Sequence, residues 1–339
     1  MSKKYKVFVA IPKGTAVFDT FVAEEVRAYL EEHFEVTYNE SGRKLTKEEL
    51  KRILPDSDAV ITGWGNSMLD RECLEGNDRL KLIVHTGGTV GNLIDDYVFQ
   101  NGRKVLSGNK FYAESVAEGT IAYMLMALRK IPDYIEAVRE GNWRTEADLW
   151  EGLLDRTVGI VGVGTISRIV IQMLQTFRVK IKVYSHYEVE REFLEKYGCE
   201  VATLDDIFST CDVVSVHSAL NEENRGLVQR KHFEMLKDGS LFINTARGAV
   251  IDEQALIDEL QKNRFSAVLD VYIKEPLPQE SRLRSMKNVY PLPHMAGPTL
   301  DRRKWITKAL IDDMRAFFDG TDELELEISE EYAKRMTKM

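Results

Sequence analysis

Three segments of this chain set a side chain capable of acid, base or anion-binding chemistry in or just after an apolar run. Phe242-Ile243-Asn244-Thr245-Ala246-Arg247-Gly248 brings an arginine there, and Leu269-Asp270-Val271-Tyr272-Ile273-Lys274-Glu275-Pro276 carries an Asp within the run and a Glu after it. Val289-Tyr290-Pro291-Leu292-Pro293-His294-Met295-Ala296-Gly297 adds a histidine. The planar fork of Arg247 would hold a carboxylate or a carbonyl oxygen. The imidazole of His294 would pass a proton to an oxygen that becomes an alkoxide, and a neighbouring carboxylate such as Glu275 favours the protonated ring. Gathered on one face, the three groups suit proton-coupled hydride transfer. Spacing alone does not gather them. Taken singly, Arg247 reads equally as a surface ion pair, Glu275 as a solvated loop residue and His294 as a buried, hydrogen-bonded ring.

A carrier for such a hydride has a candidate cradle in Thr157-Val158-Gly159-Ile160-Val161-Gly162-Val163-Gly164-Thr165-Ile166-Ser167-Arg168. This reads as a short strand, a Gly-x-Gly turn, and a helix whose apolar positions Ile166, Ile169, Val170, Met173 and Leu174 recur at three- and four-residue spacing. Gly162 allows the tight turn, Gly164 clears space for a pyrophosphate, and the helix start at Thr165 and Ile166 offers backbone N–H groups. Ser167 stands at the third, small position. Alone this pattern is weak; its flanking strand and helix, and a second strand at Lys180–Tyr184, strengthen it. Two further glycine-rich turns follow strand-like runs: Thr62-Gly63-Trp64-Gly65-Asn66 and His85-Thr86-Gly87-Gly88-Thr89-Val90-Gly91-Asn92. They read either as plain turns or as bare N–H groups presented to an anion.

The elements that must position these groups alternate. Strand-like Val7–Ile11, Glu35–Tyr38, Ala59–Thr62 and Leu80–Val84 intersperse with helical Phe18–Phe34 and Lys47–Leu54, an α/β unit with parallel strands. A helix opens with Glu114-Ser115-Val116-Ala117-Glu118 and runs through Leu128, and another follows Pro132. Val158–Val161, Lys180–Tyr184, Val213–Val216, Ser240–Asn244, Ala267–Val271 and Asn288–Tyr290 then give a second, doubly wound parallel sheet. A last helix runs from Leu300 to about Phe318 with Trp305, Ala309, Leu310, Met314 and Phe317 on one face. The acidic runs Asp322–Glu327 and Glu330–Glu331 read as solvated tail.

At 339 residues two domains are expected. The net charge of -9, with 46 Lys and Arg against 55 Asp and Glu, disfavours nucleic acid and anionic membrane as partners. No apolar run reaches membrane-spanning length and no signal core opens the chain, so a cytoplasmic protein is expected. Cys73, Cys199 and Cys211 suggest buried reduced thiols, and neither they nor the histidines are spaced for a metal.

Taken together, Ser115-Val116-Ala117-Glu118, Gly141-Asn142-Trp143, the cradle, Asp212-Val213-Val214-Ser215-Val216-His217, Asn244-Thr245-Ala246-Arg247-Gly248, Leu269-Asp270, Glu275-Pro276-Leu277 and Pro293-His294 resemble the D-isomer-specific 2-hydroxyacid dehydrogenase family, nearly from end to end. The resemblance is to phosphoglycerate dehydrogenase and to glyoxylate and hydroxypyruvate reductases. It implies a Rossmann cofactor domain, residues 114–296, inserted in a flavodoxin-like substrate domain, residues 1–113 plus 297–339. It implies Arg247 as substrate anchor, Glu275 as partner of the imidazole, and His294 as general acid in reduction and base in oxidation. The cofactor pocket would draw on Gly162, Gly164, Thr165, Ile166, Ser185, His186, His217, Ala246, Asp270 and His294. Substrate would meet Trp64, Gly87, Gly88, Thr89 and Arg247, with backbone groups of Gly88 and Thr89 on its carboxylate. A homodimer is usual in the family.

Departures refine the expectation. Ser185-His186 stands where relatives often carry an Asp on the adenosine ribose; His186 or Arg191 would attract a 2′-phosphate, whereas Glu188 could replace the acid. The cofactor is read as NAD or NADP, leaning to NAD. Gly63 replaces an Arg of phosphoglycerate-using relatives, which with Trp64 points to a non-phosphorylated 2-oxoacid or D-2-hydroxyacid, and no appended regulatory domain is expected. Gly87–Gly91 alters the usual carboxylate loop, and Ser218-Ala219 replaces a common proline after His217. The rival readings are a nucleotide-sensing, corepressor-like interaction protein on this fold, which retention of Arg247, Glu275 and His294 disfavours, and a formate dehydrogenase, which would want Gln at 275.

Overall fold

The computed structural model describes residues 4–144 and 150–337. The chain divides into two compact units, Met1–Tyr112 with Pro298–Met339, and Ala113–Gly297.

In the first unit, β1 (Lys6–Pro12), β2 (Glu35–Asn39), β3 (Ala59–Thr62), β4 (Leu82–His85) and β5 (Lys104–Ser107) form a sheet in the order β2-β1-β3-β4-β5, every pair parallel. All four residues of β3 and of β4 are buried, as strands covered on both faces must be. One face packs on Phe18, Phe21, Val26, Leu30, Ile306, Leu310 and Met314, the other on Leu50, Leu54, Leu74 and Val98. The Phe18–Phe34 stretch is two helices, Ala16–Phe21 and Glu24–His33; Thr15 caps the first, its side chain accepting from Phe18 N–H.

The second unit holds β6 (Thr157–Val161), β7 (Lys180–Tyr184), β8 (Cys199–Val201), β9 (Val213–Val216), β10 (Leu241–Asn244), β11 (Ser266–Leu269) and β12 (Val289–Pro291). Their order is β12-β11-β10-β9-β6-β7-β8, again wholly parallel. The architecture is therefore two doubly wound parallel-sheet units, a Rossmann-type sheet within the chain and a flavodoxin-like order in the flanking unit. No helix among the described residues is long and apolar enough to cross a membrane.

Three local expectations need correction. The acidic terminal stretch is not a solvated tail: Leu326, Ile328, Ala333 and Met336 are buried, Ser107 N–H donates to Leu326 O (3.0 Å), Ile328 N–H donates to Val105 O (2.8 Å), and Glu330–Arg335 is helical. Leu324, Leu326 and Ile328 alternate with the glutamates, so the apolar row faces the core while the charges face water. The last helix spans Leu300–Phe318, but its buried face is Ile306, Thr307, Leu310, Ile311 and Met314, and Trp305 is exposed. The helix expected near Glu114 begins earlier, at Asn109, whose N–H donates to Ser107 Oγ. Among the cysteines, Cys73 and Cys211 are buried and Cys199 half-buried, and all three are free.

Candidate active site

Strand order in the second unit reverses at β6, which lies between β9 and β7, and open α/β sheets bind ligands at such a point. Gly162, directly after β6, has φ +97, and a Cβ there would lie 2.6 to 2.8 Å from Ser218 Oγ, N and Cα. Only glycine lets the turn reverse against the end of β9. Gly164 differs: a Cβ on it would meet nothing within 4 Å. No protein atom demands a glycine at 164, which leaves open space above bare backbone. Ser167 is fully buried and its Oγ accepts from Gly164 N–H (2.8 Å), so that N–H is already used. The N–H groups of Val163 and Ile166 donate to no acceptor among the described residues. Thr165 opens the helix Thr165–Leu174.

At the end of β7, Ser185 Oγ accepts from Tyr187 N–H, and the exposed His186 lies 3.4 Å from Tyr184 Oη. Arg191 pairs with Glu195 (2.6 Å), and Arg168 pairs with Glu190 while stacking on Phe193. His217 continues β9, its N–H on Val161 O and its Nε2 2.9 Å from Ser215 Oγ; burial pushes its pKa down to about 4.

The Arg, Glu and His of the sequence reading all lie in this unit, at the carboxyl ends of β10, β11 and β12. Asn244, fully buried as the last residue of β10, pins the turn that carries the arginine: its Oδ1 accepts from Ala246 N–H and its Nδ2 donates to Arg247 O. Arg247 Nη1 donates to Ala246 O (2.7 Å), whereas its Nε is buried with no acceptor. Burial pulls the guanidinium pKa down, and the charge of Glu275 opposes that pull. The close approach depends on Gly248, whose Cβ would fall 2.0 Å from the Tyr272 carbonyl carbon.

Glu275 is held at both oxygens. Oε1 accepts from Tyr272 N–H (3.0 Å), and Oε2 lies 2.7 Å from His294 Nδ1. Tyr272 is itself anchored, its hydroxyl donating towards Leu269 O and Leu292 O. His294 has φ +52, a left-handed conformation that costs a non-glycine residue about 1 kcal/mol and persists only where neighbours over-determine it. Asp270 supplies that determination. Almost wholly buried, it accepts from Met295 N–H on Oδ1 (2.8 Å) and from Ala296 N–H on Oδ2 (3.0 Å). Burial raises its pKa while those two hydrogen bonds oppose the rise. Asn244, Tyr272 and Asp270 thus orient the three candidate groups. A polar residue closing or following the apolar runs Leu241–Ile243 and Ala267–Leu269 was the readable signal for Asn244 and Asp270; the anchoring role of Tyr272 had none.

In the first unit, the loop after β4 carries the other candidate residues. Ser107 Oγ donates to the carbonyls of Gly87 (3.0 Å) and Gly88 (2.9 Å), turning that peptide face inward. The N–H groups of Gly87, Gly88 and Thr89 donate to no acceptor among the described residues. Thr89 Oγ1 donates to Thr337 O (3.1 Å). Trp64 stands after β3, partly exposed. Among the described residues no group of three or more His, Cys, Asp or Glu is disposed for a metal ion.

Residues 121–296 match the family model described as D-isomer specific 2-hydroxyacid dehydrogenase, NAD binding domain. The chain is 31% identical over 284 residues to a hydroxypyruvate reductase of Thermotoga maritima, covering 83% of this chain and 90% of that one. It is 30% identical over 271 residues to a D-3-phosphoglycerate dehydrogenase of Archaeoglobus fulgidus, covering 80% of this chain but only 51% of that longer relative. Among solved structures, a phosphoglycerate oxidoreductase from Rhizobium etli superposes with a TM-score of 0.79 at 26% identity, covering 96% of this chain and 99% of that one. D-mandelate dehydrogenase of Rhodotorula graminis superposes at 0.80 with 21% identity, over 96% of this chain and 98% of that one, a likeness of fold.

Proposed function

The chain belongs to the D-isomer-specific 2-hydroxyacid dehydrogenase family, and on that premise we propose that it interconverts a 2-oxoacid and a D-2-hydroxyacid with a nicotinamide cofactor. The 2.7 Å bond between Glu275 and an exposed His294 carries this reading. The unit Ala113–Gly297 is proposed to bind the dinucleotide, and the space at Gly164 fits a pyrophosphate held by the N–H groups of Val163 and Ile166. When bound, the nicotinamide supplies a hydride to the carbonyl carbon in reduction and takes it back in oxidation. His294, with Nδ1 on Glu275, has Nε2 left to give a proton to the carbonyl oxygen, so one hydride and one proton turn C=O into CH–OH. Arg247, its Nε unpaired, is proposed to hold a substrate carboxylate or carbonyl oxygen, and the N–H groups of Gly87, Gly88 and Thr89 are proposed to bind a carboxylate.

NAD is the favoured form. A 2′-phosphate would need unpaired cations beyond β7, and Arg168 and Arg191 are each paired with a glutamate. Self-association is proposed through the helix Ile131–Arg139, none of whose residues is buried. It exposes Ile131, Ile135 and Val138 beside Trp143 and Trp150, an apolar patch of the kind that a second copy covers.

Purified protein should oxidise NADH faster than NADPH with one or more of glyoxylate, hydroxypyruvate, pyruvate, phenylpyruvate and 2-oxoisocaproate. Cofactor binding without turnover on any of them would overturn the enzymatic reading in favour of a nucleotide sensor.

A further inference from the structure

In the first unit the strand order reverses at β1, so a ligand crevice is expected above the carboxyl ends of β1 and β3. A cluster that the proton chemistry does not use occupies that edge. Trp64, 40% exposed, meets Phe21 edge-on (centroids 5.2 Å apart, 89°) and Tyr112 likewise (6.1 Å, 90°). Arg303, in the first turn of the helix Leu300–Phe318, lays its guanidinium 4.9 Å from the Trp64 ring centroid and 5.4 Å from that of Phe21. Its Nη1 donates to Thr20 Oγ1 (3.2 Å), it pairs with no carboxylate among the described residues, and its Nε is buried without an acceptor. The Tyr112 hydroxyl is likewise buried, with the Trp64 indole as its polar neighbour and no acceptor for its own proton. The same Tyr112 ring would lie 3.1 Å from a Cβ on Gly88, so the cluster adjoins the glycine loop.

A guanidinium set against two aromatic rings beside a buried phenol is a poor lining for a purely apolar side chain, because its unpaired donors stay desolvated without compensation. It is a good lining for an anion. Resting on the reading that this unit holds the substrate, we propose that Arg303, with Trp64 and Tyr112, receives the far end of the substrate, and that this end is a second carboxylate. The substrate class is then a dicarboxylic 2-oxoacid. With Nη1 on Thr20, the Nε–Nη2 edge of Arg303 has no acceptor among the described residues, and such an edge matches a planar carboxylate. Lys44, whose Nζ rests against Gly65, is exposed at the outer rim of the same turn, where water screens it.

The test compares kcat/KM for 2-oxoglutarate, 2-oxopentanoate and 3-phosphohydroxypyruvate in wild type and Arg303→Met. Wild type should prefer 2-oxoglutarate over 2-oxopentanoate, and Arg303→Met should cut that ratio by roughly 30-fold, the loss expected for hydrogen bonds to a charged group. Arg303→Lys, which keeps the charge without the fork, should fall between them. Calorimetric titration of the same three compounds supplies a readout independent of turnover. Arg303-dependent preference for 2-oxoglutarate in binding without any turnover would sink the enzymatic reading and leave this site standing. Equal affinity for 2-oxoglutarate and 2-oxopentanoate, a preference for the phosphorylated compound, or a ratio unmoved in Arg303→Met would overturn the proposal.

Discussion

His85 and His294 stand in like places, each at or just past the carboxyl end of a strand in a parallel sheet, one in each unit. His85 is 5% exposed, shares a 2.9 Å hydrogen bond with Thr62 Oγ1 through Nδ1, and lies under Gly87, where a Cβ would come within 2.3 Å of its Nε2. Burial pushes its pKa down to about 4, so at neutral pH it is an uncharged packing element. The His294 side chain is 46% exposed, and its Nδ1 lies 2.7 Å from a carboxylate oxygen of Glu275. His217 follows the first pattern, with a serine partner and a pKa also pushed to about 4. Residue type and strand-end position therefore do not distinguish the two rings; solvent access and an anionic partner do.

The comparison breaks most easily at His294. His294→Ala is expected to lower kcat by about 10²- to 10⁴-fold, the usual contribution of a positioned general acid, while cofactor affinity measured by fluorescence titration is retained. His85→Gln should leave a far larger share of turnover; equal losses in the two variants would erase the difference between the two rings.

Next in size is a pH effect on stability. The folded-state pKa of His85 lies below its ordinary 6.5, so between 6.5 and about 4 the unfolded chain binds more protons than the folded one. Stability is complete above 6.5 and is lost as pH falls toward 4, by on the order of 3 kcal/mol. Urea unfolding across that window should show the loss, and His85→Gln should remove about half of it, since His217 titrates with the same sign; an unchanged slope would mean the His85 ring is not desolvated.

Gly87→Ala drives a methyl into the His85 ring and is expected to cost about 1–3 kcal/mol in the same unfolding assay, since overpacking displaces a confined neighbour. His85→Ser should relieve that cost in the double variant, and failure to do so would place the clash elsewhere.

The smallest effect expected is for Glu275→Gln. The amide can still accept from Tyr272 N–H but puts no anion beside His294. Reduction should slow by about tenfold, ~1.4 kcal/mol in barrier, because the imidazole loses the anionic partner that holds its Nδ1. An unchanged rate of reduction would remove the carboxylate from that role.

Several elements were legible because their local signal was unopposed. β7 runs over Lys180–Tyr184 as read, and the last helix over Leu300–Phe318. β8, Cys199–Val201, went unread because a three-residue edge strand containing Glu200 has too little apolar alternation to register. The terminal acidic stretch was misread because its charge outweighed the period-two row of Leu324, Leu326 and Ile328. The apolar residues Trp305, Ala309, Leu310, Met314 and Phe317 share a face by spacing, yet the sheet covers the arc centred on Ile306 and Leu310, one residue further round, and leaves Trp305 exposed.

Order along the chain by itself determined the alternation of strands and helices, the Gly-x-Gly turn after β6, and the candidate identities Arg247, Glu275 and His294, because these depend on residue type and near-neighbour spacing. Only the tertiary structure decided that Asn244, Tyr272 and Asp270 hold those groups, that Gly162 is required by Ser218 while Gly164 is required by no protein atom, and that Arg303 stacks on Trp64. Each of those facts joins residues from different strands or helices, and which strand ends become neighbours is set by sheet order and burial, quantities that no local window of sequence contains.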